Sequence, residues 1–170
     1  SDFSFTEAYP DFDIEAVCAH ARSKGVQLIG HHETGGNAFH YEPQLEAAMA
    51  LYERLGVHSV KTGYVADAGG ARVTGPDGQV AMTWHESQAM AQHHMRVVEV
   101  AARHKVVVNA HEPFKDTGLR RTYPNIISRE GQRGMEYSAW GQPGNPPEHE
   151  ANLVFTRLLA GPMDYTPGIF

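Results

Sequence analysis

Three glutamates occupy positions where their side chains could carry out acid-base chemistry. Glu33 ends an apolar segment at residues 28–33, Glu112 ends a second one at residues 106–112, and each follows a histidine. Glu136 lies further along, in a segment containing glycine and arginine. Glycoside hydrolysis uses such groups, because one carboxylic acid protonates the leaving oxygen while a carboxylate attacks the anomeric carbon or activates water. Glycoside hydrolysis is therefore the leading chemical class.

The same residues also have structural interpretations. Glu33 and Glu112 would cap the following helix or pair with a nearby arginine, although the same His-Glu dipeptide at two strand ends favours a functional role. In the structural interpretation, the histidines at the strand ends, His31, His32 and His111, would form hydrogen bonds to the backbone. Zinc is disfavoured because no His-x-His or His-x-x-x-His spacing occurs near His31, His32 and His111.

A second acidic segment allows two interpretations. Glu130 and Glu136 lie among glycines and arginines, which is typical of a solvated charged loop. Together with Glu112, however, they form a set of hard oxygen ligands of the kind that holds calcium. Lys61 lies in an apolar run, where it either extends its ammonium group to solvent or binds a substrate hydroxyl. Two roles are open for the next polar residues: they either line the same site or form ion pairs. These residues are Arg120, Arg121 and Tyr123.

A helix, a short turn and a buried parallel strand recur along the chain. Helical spacing of apolar residues predicts helices at 14–21, 45–55 and 90–101, followed by strands at 26–29, 57–64 and 106–108. We predict a fourth helix at 150–159, whose inward face carries Val154, Phe155, Leu158 and Leu159. Residues 66–80 and 140–148 are predicted to be long functional loops.

This series predicts an α/β fold, a partial (β/α)8 TIM barrel. A complete barrel needs roughly 250 residues, so residues 1–170 supply about half of one catalytic domain within a longer enzyme. The carboxyl ends of the strands would form the catalytic face. A half barrel alone leaves unpaired edges and uncovered apolar faces, so we expect it to meet its missing half or to form a homo-oligomer.

Composition argues against a nucleic-acid partner, a membrane span and an intrachain disulfide. The formal net charge of −6 argues against a nucleic-acid partner. No apolar run approaches the roughly 20 residues of a membrane span. Cys18 is the sole cysteine, so an intrachain disulfide is excluded.

Six sequence strings resemble those of the catalytic barrel of glycoside hydrolase family 97, in the family's order and over residues 25–168. They are HHET at 31–34, VKTGYV at 60–65, NAHE at 109–112, TGLRRTYPN at 117–125, EGQRGMEY at 130–137 and GPMDYTPG at 161–168. The resemblance implies a bacterial exo-acting α-glucosidase or α-galactosidase with calcium in its active site. The implied substrate is an oligosaccharide with a terminal α-linked glucose or galactose.

The resemblance also implies a role for each matched residue. Glu136 resembles the general acid, while Glu33 and Glu112 resemble the pair that positions and deprotonates the attacking water. Glu112, Glu130 and Glu136 resemble calcium ligands, so the ion would lie beside the scissile bond. The residues that resemble sugar contacts are His31, Lys61 and His111.

One position separates the two mechanistic branches that the resemblance implies. The retaining branch carries an aspartate nucleophile where this chain has Gly63, and Asp67 lies too far along to replace it. We therefore predict an inverting α-glucosidase that releases β-glucose, which requires acid and base carboxyls roughly 6.5 to 9.5 Å apart.

The resemblance further implies β domains on both sides of the barrel, one of them supplying another calcium ligand, and export to the periplasm or exterior. Three alternatives stay open. One is a retaining α-galactosidase of the same family, and another is a non-catalytic sugar-binding fragment that only holds calcium. The third is a different TIM-barrel hydrolase with a transition metal at His31, His32 or His111.

Overall fold

The computed structural model describes residues 3–66 and 69–166 of the chain. Asp67 and the last two residues of the GPMDYTPG string lie outside the described residues. The α-helices are α1 (Ile14–Ser23), α2 (Ala38–Tyr41), α3 (Leu45–Leu55), α4 (Gln88–Arg103), α5 (Tyr137–Trp140) and α6 (Pro147–Phe155). The strands are β1 (Gly30–Glu33), β2 (Ser59–Gly63), β3 (Gly70–Thr74), β4 (Val80–Trp84), β5 (Val107–Ala110) and β6 (Ile126–Arg129). Short 3-10 turns occur at Glu42–Gln44, Leu119–Arg121 and Arg157–Ala160.

Four strands form one parallel sheet in the order β1-β2-β5-β6. The spatial order follows the chain order without a reversal, as in a barrel and unlike a doubly wound sheet. Met163 adds a single parallel bridge to Arg129, continuing the same progression. The α/β fold predicted from the sequence is therefore confirmed, with four of the eight strands of a complete barrel.

The first strand lies later in the chain than the sequence predicts. Residues 26–29 have no strand structure, and β1 begins at Gly30, which pairs with Val60 of β2. Within the described residues β1 pairs with a strand on one side only, and Ile29 is 68% exposed. Apolar residues without a neighbouring strand do not form a ladder, so the prediction of a buried strand at 26–29 was wrong.

The predicted loop at 66–80 contains a hairpin instead. Strands β3 and β4 pair antiparallel around a tight turn, in which the Gln79 amide donates to the Asp77 carboxylate at 3.0 Å. The Arg72 amide donates to the Gly36 carbonyl at 2.7 Å, which fixes the hairpin beside the end of β1. The hairpin therefore stands at the carboxyl edge of the sheet, where the βα connections of a barrel build its active site.

The predicted inward face of the last helix was also wrong. Phe155 and Leu159 are 74% and 77% exposed, and Val154 and Leu158 are exposed as well. Helix α6 ends at Phe155, and its buried residue is Leu153. Among the described residues the sheet ends at β6, so no further strand covers this face. The loop predicted at 140–148 agrees better, since α5 ends at Trp140 and α6 begins at Pro147.

The main core lies between the sheet and helices α3 and α4. It joins the buried residues of α3 and α4 to the inward residues of the strands, and its largest fully buried members are Tyr41, Met49, Val60, Tyr64, Met90 and Val97. No helix among the described residues is long and apolar enough to cross a membrane.

Truncating a core side chain tests this packing. Met49 is fully buried, so Met49→Ala should lower the free energy of unfolding by about 2 to 5 kcal/mol in chemical denaturation. Met82→Ala is the matched control, because Met82 is 59% exposed on the hairpin and its change should stay within about 0.5 kcal/mol. Equal destabilisation by the two variants would contradict the assigned core.

Candidate active site

The carboxyl edge of the sheet brings together the ends of β1, β2 and β5. Glu33 pairs in register with Gly63, and Thr62 pairs with Ala110, so Glu112 follows β5 at the same level. Glu112 has a φ of +42°, an uncommon conformation for a residue with a side chain that is found disproportionately at functional sites. The structure therefore places two of the three predicted catalytic glutamates at one edge.

Two consecutive backbone amides hold these two carboxylates. The Tyr64 amide donates to Glu112 Oε2 at 2.7 Å, and the Val65 amide donates to Glu33 Oε1 at 3.1 Å. The Gly35 amide also donates to Glu33 Oε1, at 2.9 Å. Hydrogen bonds to ionised carboxylates are stronger than neutral ones, so the segment after β2 fixes both groups side by side.

This proximity affects the proton affinity of Glu112. Burial raises the pKa of Glu112, and the charge of Glu33 raises it further. The Tyr64 amide and the nearby His111 and His85 act in the opposite direction. A carboxylate with a raised pKa is a stronger base, which suits proton abstraction from water.

Gly63 leaves the space that Glu33 fills. A Cβ at position 63 would lie 2.9 Å from Glu33 Cδ and closer still to Glu33 Oε2. A side chain at this position would therefore require the Glu33 carboxylate to move.

Tyr64 is anchored from behind by a buried chain of polar groups. Its hydroxyl lies 2.8 Å from His93 Nε2, and His93 Nδ1 lies 2.7 Å from Glu42 Oε1. Arg96 also donates to Glu42. Burial lowers the pKa of His93, so its neutral ring donates to Glu42 and accepts from the tyrosine hydroxyl. His93 thus has a structural role.

His31 and Lys61 lie beside the carboxylate pair. They pair in register on β1 and β2, and His31 Nε2 is 3.9 Å from Glu33 Oε2. Burial, followed by the charge of Lys61, lowers the pKa of His31. Both side chains are therefore available for hydrogen bonds to a ligand at this edge.

His32 points to the opposite face of β1, as strand alternation requires. Its Nδ1 lies 2.7 Å from the Tyr41 hydroxyl, and its ring stacks on Tyr52 with centroids 4.8 Å apart. Burial lowers the pKa of His32 to about 3, so it is a neutral core residue.

His111 belongs to a second polar cluster, which includes a residue that the sequence did not assign. His111 Nδ1 lies 3.3 Å from Glu130 Oε2, and its Nε2 lies 2.7 Å from Asp164 Oδ2. Asn109 also donates to Asp164 Oδ2, at 2.6 Å. Asp164 was contained in the GPMDYTPG string, but only the fold shows that it orients His111.

The candidate calcium ligands have the appropriate chemistry. Burial raises the pKa of Glu130, and the nearby Glu112 and Glu136 carboxylates raise it further. Neighbouring carboxylates repel one another, and a hard cation relieves that repulsion. Glu112, Glu130 and Glu136 therefore fit calcium as oxygen donors, although residues 3–66 and 69–166 contain no ready-made group of three metal-binding side chains. Glu136 itself lies just before α5, at its N-cap.

Arg120, which precedes β6, forms an ion pair. Arg120 donates to Asp116 Oδ2 at 2.7 Å and to the Ala160 carbonyl at the same distance. Tyr123 donates to Glu99 on α4 at 3.2 Å. Of the two roles left open by the sequence, the structure supports the structural one for Arg120 and Tyr123.

Each carboxylate of the pair borders a cavity. One cavity, of about 600 Å³, is lined by His31, Glu33 and aromatic residues of the N-terminal segment. The other, of about 440 Å³, is lined by Glu112, Glu130 and the hairpin residues Trp84 and His85. The sequence carried no periodic signal for these two hairpin residues.

Comparison with known proteins agrees with this arrangement. Residues 1–132 match the family model of glycoside hydrolase 97. A glycoside hydrolase family 97 enzyme from Pseudoalteromonas sp. strain K8, solved with acarbose, is 56% identical and has a TM-score of 0.92. The alignment covers 99% of this chain and 25% of that one. A variant of an enzyme of this family from the same strain, solved with panose, gives the same values.

Two curated relatives are more distant. A retaining α-galactosidase of Bacteroides thetaiotaomicron is 27% identical over 162 residues, which cover 93% of this chain and 21% of the relative. A probable retaining α-galactosidase of Streptomyces bingchenggensis is 28% identical over 152 residues, which cover 89% and 20%. The chain thus spans about a fifth of the length of its curated relatives.

The parallel βα series, with paired carboxylates at its carboxyl edge, defines part of a glycoside hydrolase TIM barrel. The chain belongs to glycoside hydrolase family 97.

Adding one methyl group at position 63 tests the carboxylate pair. Gly63→Ala should displace Glu33 and lower turnover by about 10²-fold, because a catalytic group moved by about 1 Å loses its alignment. Gly144→Ala is the matched control, since its Cβ would lie 3.5 Å from Ser138 Cα, an ordinary contact. Steady-state kinetics of the full-length protein measures both, and unchanged turnover in Gly63→Ala would contradict the assigned position of Glu33.

Proposed function

We propose that the full-length protein is an exo-acting α-glucosidase that cleaves terminal α-glucosides with inversion and binds calcium in its active site. The observation that carries this proposal is the Glu33 carboxylate, which occupies the space of a side chain at Gly63. A nucleophile cannot stand at position 63 while Glu33 keeps this position. The two carboxylates held by Tyr64 and Val65 therefore act through water.

In this mechanism Glu33 and Glu112 orient one water molecule and remove its proton. The raised pKa of Glu112, caused mainly by burial, favours that transfer. Glu136 acts as the general acid and protonates the leaving oxygen. Attack by water on the face opposite the leaving group inverts the configuration, so an α-glucoside gives β-glucose.

Glu112, Glu130 and Glu136 would hold the calcium ion. When bound, calcium supplies positive charge that stabilises the carboxylates around it. Asp164 supports this region by holding His111, which lies 3.3 Å from Glu130. His31 and Lys61 would donate hydrogen bonds to sugar hydroxyls. The sugar contact that the resemblance implies for His111 would require its ring to leave Asp164 or Glu130, because each ring nitrogen faces one of these carboxylates.

Similarity to enzymes solved with sugars supports an α-glucoside substrate. The 56% identical enzymes were solved with acarbose and with panose, and panose is built from α-linked glucose. The relatives at 27% and 28% identity are named as a retaining α-galactosidase and a probable one, which makes that activity the second candidate. Gly63 favours the inverting mechanism over it. The exported location, and association with the remaining barrel strands and flanking β domains, are also proposals.

Replacing each of the two proposed base carboxylates by an amide tests this function. Glu33→Gln and Glu112→Gln should each lower turnover of an α-glucoside by about 10² to 10⁴-fold, because the amide cannot accept the water proton. Glu148→Gln, on the exposed first turn of α6, is the control and should retain turnover. EDTA should abolish activity, and calcium rather than zinc should restore it.

Three results would contradict the proposal. Full activity in both glutamine variants would remove the pair from the mechanism. Restoration by zinc but not calcium would favour a transition-metal hydrolase. Calcium and sugar binding without hydrolysis of glucosides or galactosides would favour a non-catalytic binding protein.

A further inference from the structure

The hairpin β3–β4 brings an aromatic surface to the acidic edge of the sheet. Trp84 ends β4 and lines the 440 Å³ cavity together with Glu112 and Glu130. The residue is 69% exposed, although it is among the largest apolar side chains in the chain. An exposed indole beside convergent polar groups is the usual composition of a ligand site.

His85 also lines this cavity. Its Nδ1 is buried and has no hydrogen-bond partner among residues 3–66 and 69–166. A buried polar atom without a partner costs free energy, which a turn of the ring toward a ligand hydroxyl would recover. The adjacent residues Trp84 and His85 thus offer an apolar face and a hydrogen-bonding group to one ligand.

The position of the cavity identifies the part of the substrate that it would receive. It lies at the ends of β5 and β6, whereas His31 and Glu33 border the other cavity. Glu136, the proposed acid, follows β6 and lies just before α5. Because the acid protonates the leaving oxygen, the leaving group lies on the β6 side.

We propose that Trp84 and His85 form a subsite for the pyranose ring of the leaving group. Trp84 stacks against the apolar face of the ring, and His85 bonds to one of its hydroxyls. The hairpin thereby sets the preference for a sugar leaving group over a small one. This proposal rests on the proposed glycosidase function. The tests below distinguish failure of the subsite from failure of the glycosidase function.

The first test compares two leaving groups in the full-length protein. A disaccharide such as maltose has a sugar leaving group, whereas α-glucosyl fluoride has none. The ratio of kcat/KM for maltose to that for α-glucosyl fluoride should fall about tenfold in Trp84→Ala. His85→Phe should lower the same ratio, and Met82→Ala, an exposed residue of the same strand, should leave it unchanged. An unchanged ratio in Trp84→Ala would overturn the proposal.

A second test does not require turnover. Panose added to the Glu136→Gln protein should change the tryptophan emission, and Trp84→Phe should remove that change. Trp140→Phe, which alters another exposed indole, should retain it. A change that persists in Trp84→Phe would overturn the subsite. Absence of hydrolysis of every glycoside by the wild-type protein, with an emission change that depends on Trp84, would overturn the glycosidase function alone.

Discussion

The site depends on one constraint, which is that two negatively charged carboxylates must be held side by side. The consecutive amides of Tyr64 and Val65 meet this constraint by donating to Glu112 at 2.7 Å and to Glu33 at 3.1 Å. Each bond offsets part of the repulsion between the two charges. Because both donors belong to the segment directly after β2, a shift of that segment would move both carboxylates together.

The rest of the fold keeps this segment in place. Strand β2 lies between β1 and β5, so the strand that leads into this segment is fixed on both sides by parallel pairing. From the core, the Tyr64 hydroxyl is bonded to His93, and His93 is bonded to Glu42. Gly63 completes the arrangement by leaving room for Glu33. Backbone position, core packing and the absence of one side chain thus act on the same pair of carboxylates.

The glutamates and the parallel strands were predictable because an abrupt change from apolar to polar residues is local in sequence. Contacts between distant residues were not, and Asp164 was missed because its partner His111 lies 53 residues away. The strand at 26–29 and the inward face of α6 were wrong because periodicity reports an apolar face but not whether another element covers it. The hairpin was predicted as a loop because its segment contains several glycines. The position of Trp84 at the end of β4 was therefore missed as well.

The central claim, that Glu33 and Glu112 act through water, predicts the configuration of the first product. Proton NMR during hydrolysis of a p-nitrophenyl α-glucoside by the full-length protein, with calcium present, observes both anomers before they equilibrate. We expect β-glucose to appear first. Initial release of α-glucose would contradict it, because retention requires a nucleophile and Gly63 supplies none.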